Sequence, residues 1–267
     1  MLENHLSDFG FFFTPLGIIV DVKANNPFLP LALTIEALSL TVDAFHVDGS
    51  IISLECQSAL TDEALLAQGF QVLDVKTALI SAEQAMQPQL LRAYHWISWD
   101  RQSKYCGRCG SLLESAFNVT EKKCPSCNLS IFPKFSPAVM VLIYREKEIL
   151  LARSPHFREG MYSVIAGFID IGETAEQAAH REVMEELGLK IVDLEYFSSQ
   201  PWPFPDSLMI AFKAKAINGD IKIDPNEIED AGWFSIDELP TLPIKLSIAR
   251  QLIDSVCAEL KLSHPPN

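Results

Sequence analysis

The second half of the chain carries short, largely apolar runs separated by polar and turn-forming segments, a pattern that predicts β-strands joined by turns. The runs cover residues 138–144, 149–152, 161–166, 191–198, 208–216 and 231–234. The first two surround a charged segment at 145–148 and therefore predict a β-hairpin. Apolar residues at helical spacing predict helices at 236–239 and 245–260. Strands flanked by helices predict an α/β/α sandwich over residues 136–267.

The first hundred residues mix both patterns and carry no motif that indicates chemistry. Strands are predicted at 17–22 and 70–75, and partly helical segments at 35–40 and 78–94. The stretch 82–89 is polar and contains Pro88, so a helix there is broken or begins anew. Trp96 and Trp99 are expected to flank a junction. We predict a mixed N-terminal domain over residues 1–100, and an α+β or α/β class for the chain.

A helix is predicted at residues 175–187. Thr174 and Gln177 have the spacing of a capping box, and Gly188 is a suitable C-terminal stop. Glu182, Glu185 and Glu186 are related by three and four positions, so they share one face of this helix. Three adjacent carboxylates repel one another unless a divalent cation such as Mg²⁺ lies between them. The alternative is an acidic helix face in solvent.

Four cysteines form two pairs with the spacing of a zinc site. They occur as two Cys-x-x-Cys turns separated by fourteen residues: Cys106, Cys109, Cys124 and Cys127. Four thiolates can close a tetrahedron around Zn²⁺ and leave no open position, which indicates a structural site. A pair of disulfides is the alternative, and a cytoplasmic location disfavours it. We predict a zinc ribbon at 101–135, followed by a proline-containing linker at 132–137.

Composition and charge narrow the function and the location. The chain has 267 residues and a net charge of −14, which argues against a nucleic-acid scaffold that holds its ligand by bulk electrostatics. The segment 101–134 is locally basic, at +4 before zinc and about +2 with a Zn²⁺ held by four thiolates, so it could contact RNA or simply aid solubility. Acidic residues precede the apolar N-terminal run and no apolar run reaches 18 residues, so we expect a cytoplasmic protein without a membrane partner.

The stretch 167–189 resembles the Nudix box, the signature of hydrolases that act on nucleoside diphosphates linked to another group. The resemblance is carried by these residues at their fixed offsets: Gly167, Glu173, Arg181, Glu182, Glu185, Glu186, Gly188 and Leu189. It implies that Glu182, Glu185 and Glu186 bind metal, that Arg181 anchors the box through Glu173, and that Gly167 opens the metal-binding loop.

A proline-rich segment at 199–209 alternates three prolines with two aromatic residues. Because proline restricts the backbone, Trp202 and Phe204 are expected to be held on a stiff loop that suits stacking on a flat base. The alternative is that these aromatic side chains pack against the fold.

This segment, the box and the ribbon together resemble the NADH pyrophosphatase subgroup of Nudix hydrolases, which includes bacterial enzymes that remove NAD caps from RNA. The resemblance covers about 100–260. It implies a substrate-binding set of Gln200, Pro201, Trp202, Pro203, Phe204, Pro205, Asp206 and Ser207, joined by Phe132, where relatives carry tyrosine, and by Ala249. It also implies that the carbonyl of Ala166 and the carboxylates of Glu182, Glu186 and Glu227 hold Mg²⁺ or Mn²⁺. The family tends to form homodimers.

These observations predict a metal-dependent pyrophosphohydrolase that cleaves NAD(H) to nicotinamide mononucleotide and AMP and also removes NAD caps from RNA. Glu185 is expected to be a further metal ligand or the base that deprotonates water. Two alternatives remain. The chain could hydrolyse another dinucleotide, such as ADP-ribose or a diadenosine phosphate, or it could be a non-catalytic regulator that senses a nucleotide and binds RNA.

Overall fold

The computed structural model describes residues 8–23, 26–48, 51–58, 61–114, 121–217 and 219–263. The chain forms two compact units, Met1–Lys134 and Phe135–Asn267. The cysteine ribbon lies in the first unit together with the N-terminal residues. No helix in the described part of the chain is long and apolar enough to span a membrane.

The first unit contains a six-stranded sheet in the order β4-β5-β1-β2-β6, with β3 pairing to β1. Its strands are β1 (Phe9–Thr14), β2 (Gly17–Asp21), β3 (Phe28–Pro30), β4 (Leu40–Asp48), β5 (Ile51–Ser58) and β6 (Phe70–Leu73). Its helices are α1 (Leu31–Ala37), α2 (Asp62–Ala67), α3 (Val75–Ser81) and α4 (Gln87–Gln102). Phe11, Phe12 and Phe13 are consecutive and all buried, so strand β1 is covered on both faces.

The ribbon adds a small antiparallel pair of strands, β7 (Lys122–Lys123) and β8 (Ser130–Ile131). These two strands carry the second cysteine turn between them. The buried residues of the ribbon are few, and they centre on Cys106, Leu113 and Cys124. A core this small is typical of a fold that depends on a metal rather than on hydrophobic burial.

The second unit is built on another six-stranded sheet, in the order β12-β13-β9-β10-β14, with β11 pairing to β9. Its strands are β9 (Ser136–Arg145), β10 (Glu148–Arg153), β11 (Ile165–Phe168), β12 (Ile191–Trp202), β13 (Ser207–Ala216) and β14 (Asp230–Ser235). Its helices are α5 (Ala175–Leu187) and α6 (Ile248–Ser263). Strands β13 and β9 are parallel, whereas the other pairs in this sheet are antiparallel.

Each face of this sheet is covered by one helix, which confirms the predicted α/β/α sandwich. Val141 packs in the same apolar cluster as Val183 of α5, and its neighbour Leu142 packs in the cluster that contains Leu252 of α6. Successive side chains of β9 therefore point to opposite faces of the sheet, as strand geometry requires.

Several predicted boundaries were wrong. Residues 236–239 form a turn after β14 rather than a helix, and the strand expected at 161–166 begins only at Ile165. The predicted junction at Trp96 and Trp99 lies inside helix α4. The helix predicted at 35–40 ends at Ala37, because Ser39 adopts a left-handed φ of 49° before β4 begins.

Candidate active site

Helix α5 begins and ends where the sequence predicts. Thr174 Oγ1 accepts a hydrogen bond from Gln177 N at 3.2 Å, and Gln177 Oε1 accepts one from Thr174 N at 2.9 Å. At the other end Gly188 has a φ of 66°, a conformation that glycine adopts without strain. Ala178, Val183 and other apolar residues face the sheet, so Glu182 and Glu186 lie at the edge of the buried face.

Arg181 connects α5 to the loop that precedes it. Its guanidinium donates to both carboxylate oxygens of Glu173, at 2.9 and 2.8 Å, and to the carbonyl of Phe168 at 2.9 Å. It also donates to Glu182 Oε1 at 2.8 Å and to Glu185 Oε2 at 3.0 Å. The hydrogen bonds from Arg181 lower the pKa of Glu173. This network fixes the loop, the end of β11 and the acidic helix face relative to one another.

Gly167 lies directly against the carboxylate of Glu182. A Cβ placed on Gly167 would be 1.9 Å from the Glu182 carboxyl carbon and about as close to both oxygens, at 2.1 and 2.2 Å. A side chain at position 167 would have to displace the Glu182 carboxylate. The glycine of the box therefore leaves room for a buried carboxylate to lie against the backbone of β11.

Three carboxylates converge beside this contact. Glu182, Glu186 and Glu227 each place a carboxylate oxygen within 4.8 Å of the others. Glu182 is 7% exposed and Glu186 is 5% exposed, whereas Glu227 is exposed. Burial, followed by the charges of Glu182 and Glu227, raises the pKa of Glu186 to about 8. Burial also raises the pKa of Glu182, although Arg181 opposes this shift. Two buried carboxylates and one exposed carboxylate at this separation fit a site for a hard divalent cation.

Glu227 reaches this cluster from a distant part of the chain. The segment that carries it runs along the end of α5, where Lys222 N donates to the Leu187 carbonyl at 2.8 Å and Asp224 N donates to the Glu186 carbonyl at 3.0 Å. Ala166, whose carbonyl was predicted as a ligand, lines the same cavity as Glu186 and Glu227. Glu185 lies outside the group of three, and its carboxylate is held by Arg181.

The proline-rich segment is the end of a β-hairpin rather than a free loop. Residues up to Trp202 pair with β13, so that Trp202 lies opposite Ser207, and only 203–206 form the turn. The rings of Trp202 and Phe204 meet edge to face, with centroids 5.3 Å apart and an interplanar angle of 67°. Both side chains are half-buried and Pro203 is buried, whereas Pro201 and Pro205 are exposed and Asp206 is half-buried. The two aromatic rings therefore form one joined surface.

Three predicted substrate contacts have other surroundings in this structure. The side chain of Gln200 accepts from Ile248 N at 2.8 Å and donates to the Leu246 carbonyl at 3.0 Å, so it positions the start of α6. Ala249 is 2% exposed and packs in the cluster under α6. Phe132 follows β8 in the first unit and is 57% exposed. Substrate contact by these three residues stays a prediction, and the burial of Ala249 weighs against it.

The four ribbon cysteines come together as predicted. Their sulfurs lie within 4.8 Å of one another, with Cys106 Sγ 3.6 Å from Cys127 Sγ and Cys109 Sγ 3.5 Å from Cys124 Sγ. A tetrahedral zinc with bonds of about 2.3 Å places its sulfurs about 3.8 Å apart, so the donor set fits Zn²⁺. Hydrogen bonds from the backbone N–H groups of Arg108 and Cys109 lower the pKa of Cys106, which favours the thiolate.

The residues around the carboxylates include several that the sequence patterns did not indicate. A cavity of about 250 Å³ opens beside Glu186 and Glu227, and its lining includes Ser154, His156, Phe157 and Asn226. These residues lie outside the Nudix box and follow no recognisable spacing. Only the path of the chain brings them to the carboxylates.

Comparison with known proteins gives matches over most of the chain. A family described as "NUDIX domain" matches residues 134–255. A curated protein named NAD-capped RNA hydrolase NudC, from Chromobacterium violaceum, is 45% identical over 195 residues, covering 73% of this chain and 74% of that protein. A protein of the same name from Pseudomonas syringae pv. tomato is 39% identical over 243 residues, covering 91% and 86%. The crystal structure of a NUDIX hydrolase from Nitrosomonas europaea matches with a TM-score of 0.49 and 20% identity, covering 60% of this chain and 92% of that one.

Proposed function

The chain belongs to the NUDIX hydrolase family, and we propose that it is a metal-dependent pyrophosphohydrolase that splits NAD(H) into nicotinamide mononucleotide and AMP. The observation that carries this proposal is the convergence of Glu182, Glu186 and Glu227 on one point beside an open cavity. The names of the relatives support a further substrate, RNA that carries an NAD cap.

In this proposal Glu182, Glu186, Glu227 and the Ala166 carbonyl hold Mg²⁺ or Mn²⁺. A cation held there would neutralise charge on the pyrophosphate and would favour deprotonation of the attacking water. Water attacks one phosphorus, the bridging P–O bond breaks, and the bridging oxygen leaves on the other phosphate. Arg181 holds the ligands in place through its bonds to Glu173 and Glu182, so it acts by positioning.

Three further groups have roles that the chemistry suggests. Glu185 lies outside the three-carboxylate group, which suits the base that takes a proton from water better than a further ligand. The joined rings of Trp202 and Phe204 offer a surface for a base of the substrate. Zn²⁺ held by the four cysteines has a structural role, because no ligand position is left for a substrate. A homodimer and a cytoplasmic location stay predictions.

The test is product analysis of the purified protein with NADH, ADP-ribose and NAD-capped RNA in Mg²⁺ and in Mn²⁺. We expect nicotinamide mononucleotide and AMP from NADH, and release of the mononucleotide from the capped RNA.

Glu186→Gln should abolish turnover while the protein keeps its zinc and still unfolds in a cooperative thermal transition, which shows that the fold persists. Glu185→Gln should lower kcat while the Mn²⁺ affinity is retained. Binding of NADH without consumption would contradict the enzyme proposal and support a nucleotide sensor.

A further inference from the structure

The cavity beside the carboxylates is open to solvent and has a volume of about 250 Å³. Pockets that enclose drug-sized ligands measure roughly 300–1,000 Å³, so this cavity surrounds part of a dinucleotide rather than the whole of it. Because Glu186 and Glu227 contribute to its lining, a phosphate bound beside them has open space next to it for its own ribose and base.

The other residues that line the cavity include both apolar and polar side chains. Ala152, Val164 and Ile228 are buried and form an apolar wall, and Phe157 adds an aromatic ring to it. Ser154, His156 and Asn226 supply polar atoms. Among the residues that line this cavity, His156 is the one side chain able to carry a positive charge. An apolar wall, an aromatic ring and a few polar groups beside a cation site are the features of a pocket for a nucleotide.

The short segment 154–158, here called the cavity loop, is held in place by Arg153. The guanidinium of Arg153 donates to the carbonyl of Arg158 at 2.5 Å and to the carbonyl of Phe157 at 3.2 Å. Its Nε also donates to Glu229 Oε2 at 2.8 Å. Glu229 is two residues from Glu227, so one side chain ties the cavity loop to the segment that carries a metal-ligand candidate. Ser154 Oγ further accepts from His156 N at 3.4 Å.

We propose that the two nucleotide halves of the substrate bind at different places. One half contacts the rings of Trp202 and Phe204, and this cavity binds the other half as a nucleoside monophosphate. His156 donates a hydrogen bond to a phosphate oxygen, and Phe157 packs against the ribose or base. Arg153 is a positioning residue that acts through the cavity loop. This inference rests on the proposed function, because it needs a substrate with two nucleotide halves joined by a pyrophosphate.

The test is calorimetric binding of AMP and of nicotinamide mononucleotide in the presence of Mn²⁺, which requires no turnover. His156→Ala should weaken the binding of one of the two mononucleotides about tenfold or more, because a hydrogen bond to a charged phosphate oxygen is lost; tenfold corresponds to about 1.4 kcal/mol. The other mononucleotide should bind within twofold of its original affinity. His180→Ala is the matched control, because His180 is exposed on α5 and does not line the cavity. The inference is overturned if both affinities are unchanged or if both fall by the same factor.

Arg153 is tested by a double-mutant cycle. If Arg153 acts through the cavity loop, Arg153→Ala should weaken the same mononucleotide as His156→Ala, and the double variant should be no weaker than the more affected single variant. Independent, additive losses would contradict the positioning role. If the wild-type protein does not hydrolyse NADH, the proposed function is wrong. If one mononucleotide nevertheless binds and His156→Ala weakens that binding, the binding site in the cavity is still supported.

Discussion

At the scale of single residues, Gly167 is a position where a neighbouring side chain packs so closely that glycine is favoured. Its missing side chain leaves the room in which the carboxylate of Glu182 lies against β11. Arg181 Nη1 also donates a hydrogen bond to Glu182 Oε1 at 2.8 Å. Gly167, which has no side chain, and Arg181, which supplies a positive charge, therefore both influence the position of the Glu182 carboxylate.

Gly167→Ala should displace Glu182, because the new Cβ would overlap its carboxylate at 1.9 Å. We expect a loss of stability of about 1–3 kcal/mol, as for other overpacked sites, and a weaker Mn²⁺ affinity. Chemical denaturation and calorimetry measure the two effects. Gly219→Ala is the control, since a Cβ there meets its nearest atom at an ordinary 3.4 Å. Equal Mn²⁺ affinities in the two variants would contradict this account.

Glu186 should make the stability of the protein depend on pH and on divalent cations. Its pKa is raised from 4.5 to about 8 in the folded state, mainly by burial, so the folded protein binds this proton more tightly than the unfolded chain. Its contribution to the free energy of unfolding is complete below about pH 4.5 and is lost as the pH rises through about 8. A bound cation replaces the proton and removes this loss.

We therefore expect the gain in Tm on adding Mg²⁺ in place of EDTA to be larger at pH 9 than at pH 6. Thermal unfolding at both pH values measures it. In Glu186→Gln the difference between the two pH values should shrink, because the titrating carboxyl group is gone. The same gain in Tm at both pH values in the wild-type protein would contradict the assignment of the cation to this cluster.

At the scale of elements, the ribbon strand β7 is joined to the end of helix α4 by a buried lysine. Lys122 is 4% exposed. Its Nζ lies 2.6 Å from Asp100 Oδ1, 3.2 Å from the Asp100 carbonyl and 3.0 Å from the Ser103 carbonyl. The Trp99 ring lies 5.4 Å away. A cation at the C-terminal end of a helix also interacts favourably with the helix dipole.

Lys122→Met should destabilise the first unit by about 3–5 kcal/mol, the usual result of removing one member of a buried ion pair. Chemical denaturation followed by tryptophan fluorescence measures it. Lys123→Met is the matched control in the same strand, because Lys123 is exposed. If both variants lose the same stability, the buried pair has no special role in holding the ribbon to α4.

At the scale of the whole molecule, the two metal-site candidates lie in different compact units and have different donors. Four thiolates belong to the first unit and three carboxylates belong to the second. Thiolates favour zinc, whereas carboxylates favour Mg²⁺ or Mn²⁺. The two kinds of metal should therefore be removable independently.

Mild dialysis against EDTA should abolish NADH hydrolysis while one zinc per chain is retained, and added Mn²⁺ should restore turnover. Metal analysis and product assays on the same samples measure both. Cys124→Ser should lose the zinc, whereas Cys257→Ser, which alters a buried cysteine outside the cluster, should keep it. If EDTA removes zinc at the same time as it abolishes NADH hydrolysis, and if zinc must be added to restore hydrolysis, the two metal sites are not independent.

Features that depend on local geometry could be predicted from the amino-acid sequence. The capping box at Thr174, the stop at Gly188 and the three glutamates on one face of α5 all follow from helix spacing, and the paired cysteines follow from turn spacing. Such patterns are readable because neighbouring positions in a helix or turn have fixed separations. The resemblance to known proteins added Glu227, which no local pattern links to the others.

Contacts between residues far apart in the chain became visible in the fold. It brought Glu227 to Glu186, placed the cavity loop beside both, buried Lys122 against Asp100, and turned the proline-rich segment into the end of a hairpin. It also covered both faces of β1, although the sequence alone did not predict a strand there. These contacts join residues far apart in the chain, and their distances depend on strand pairing and loop paths rather than on any repeating spacing.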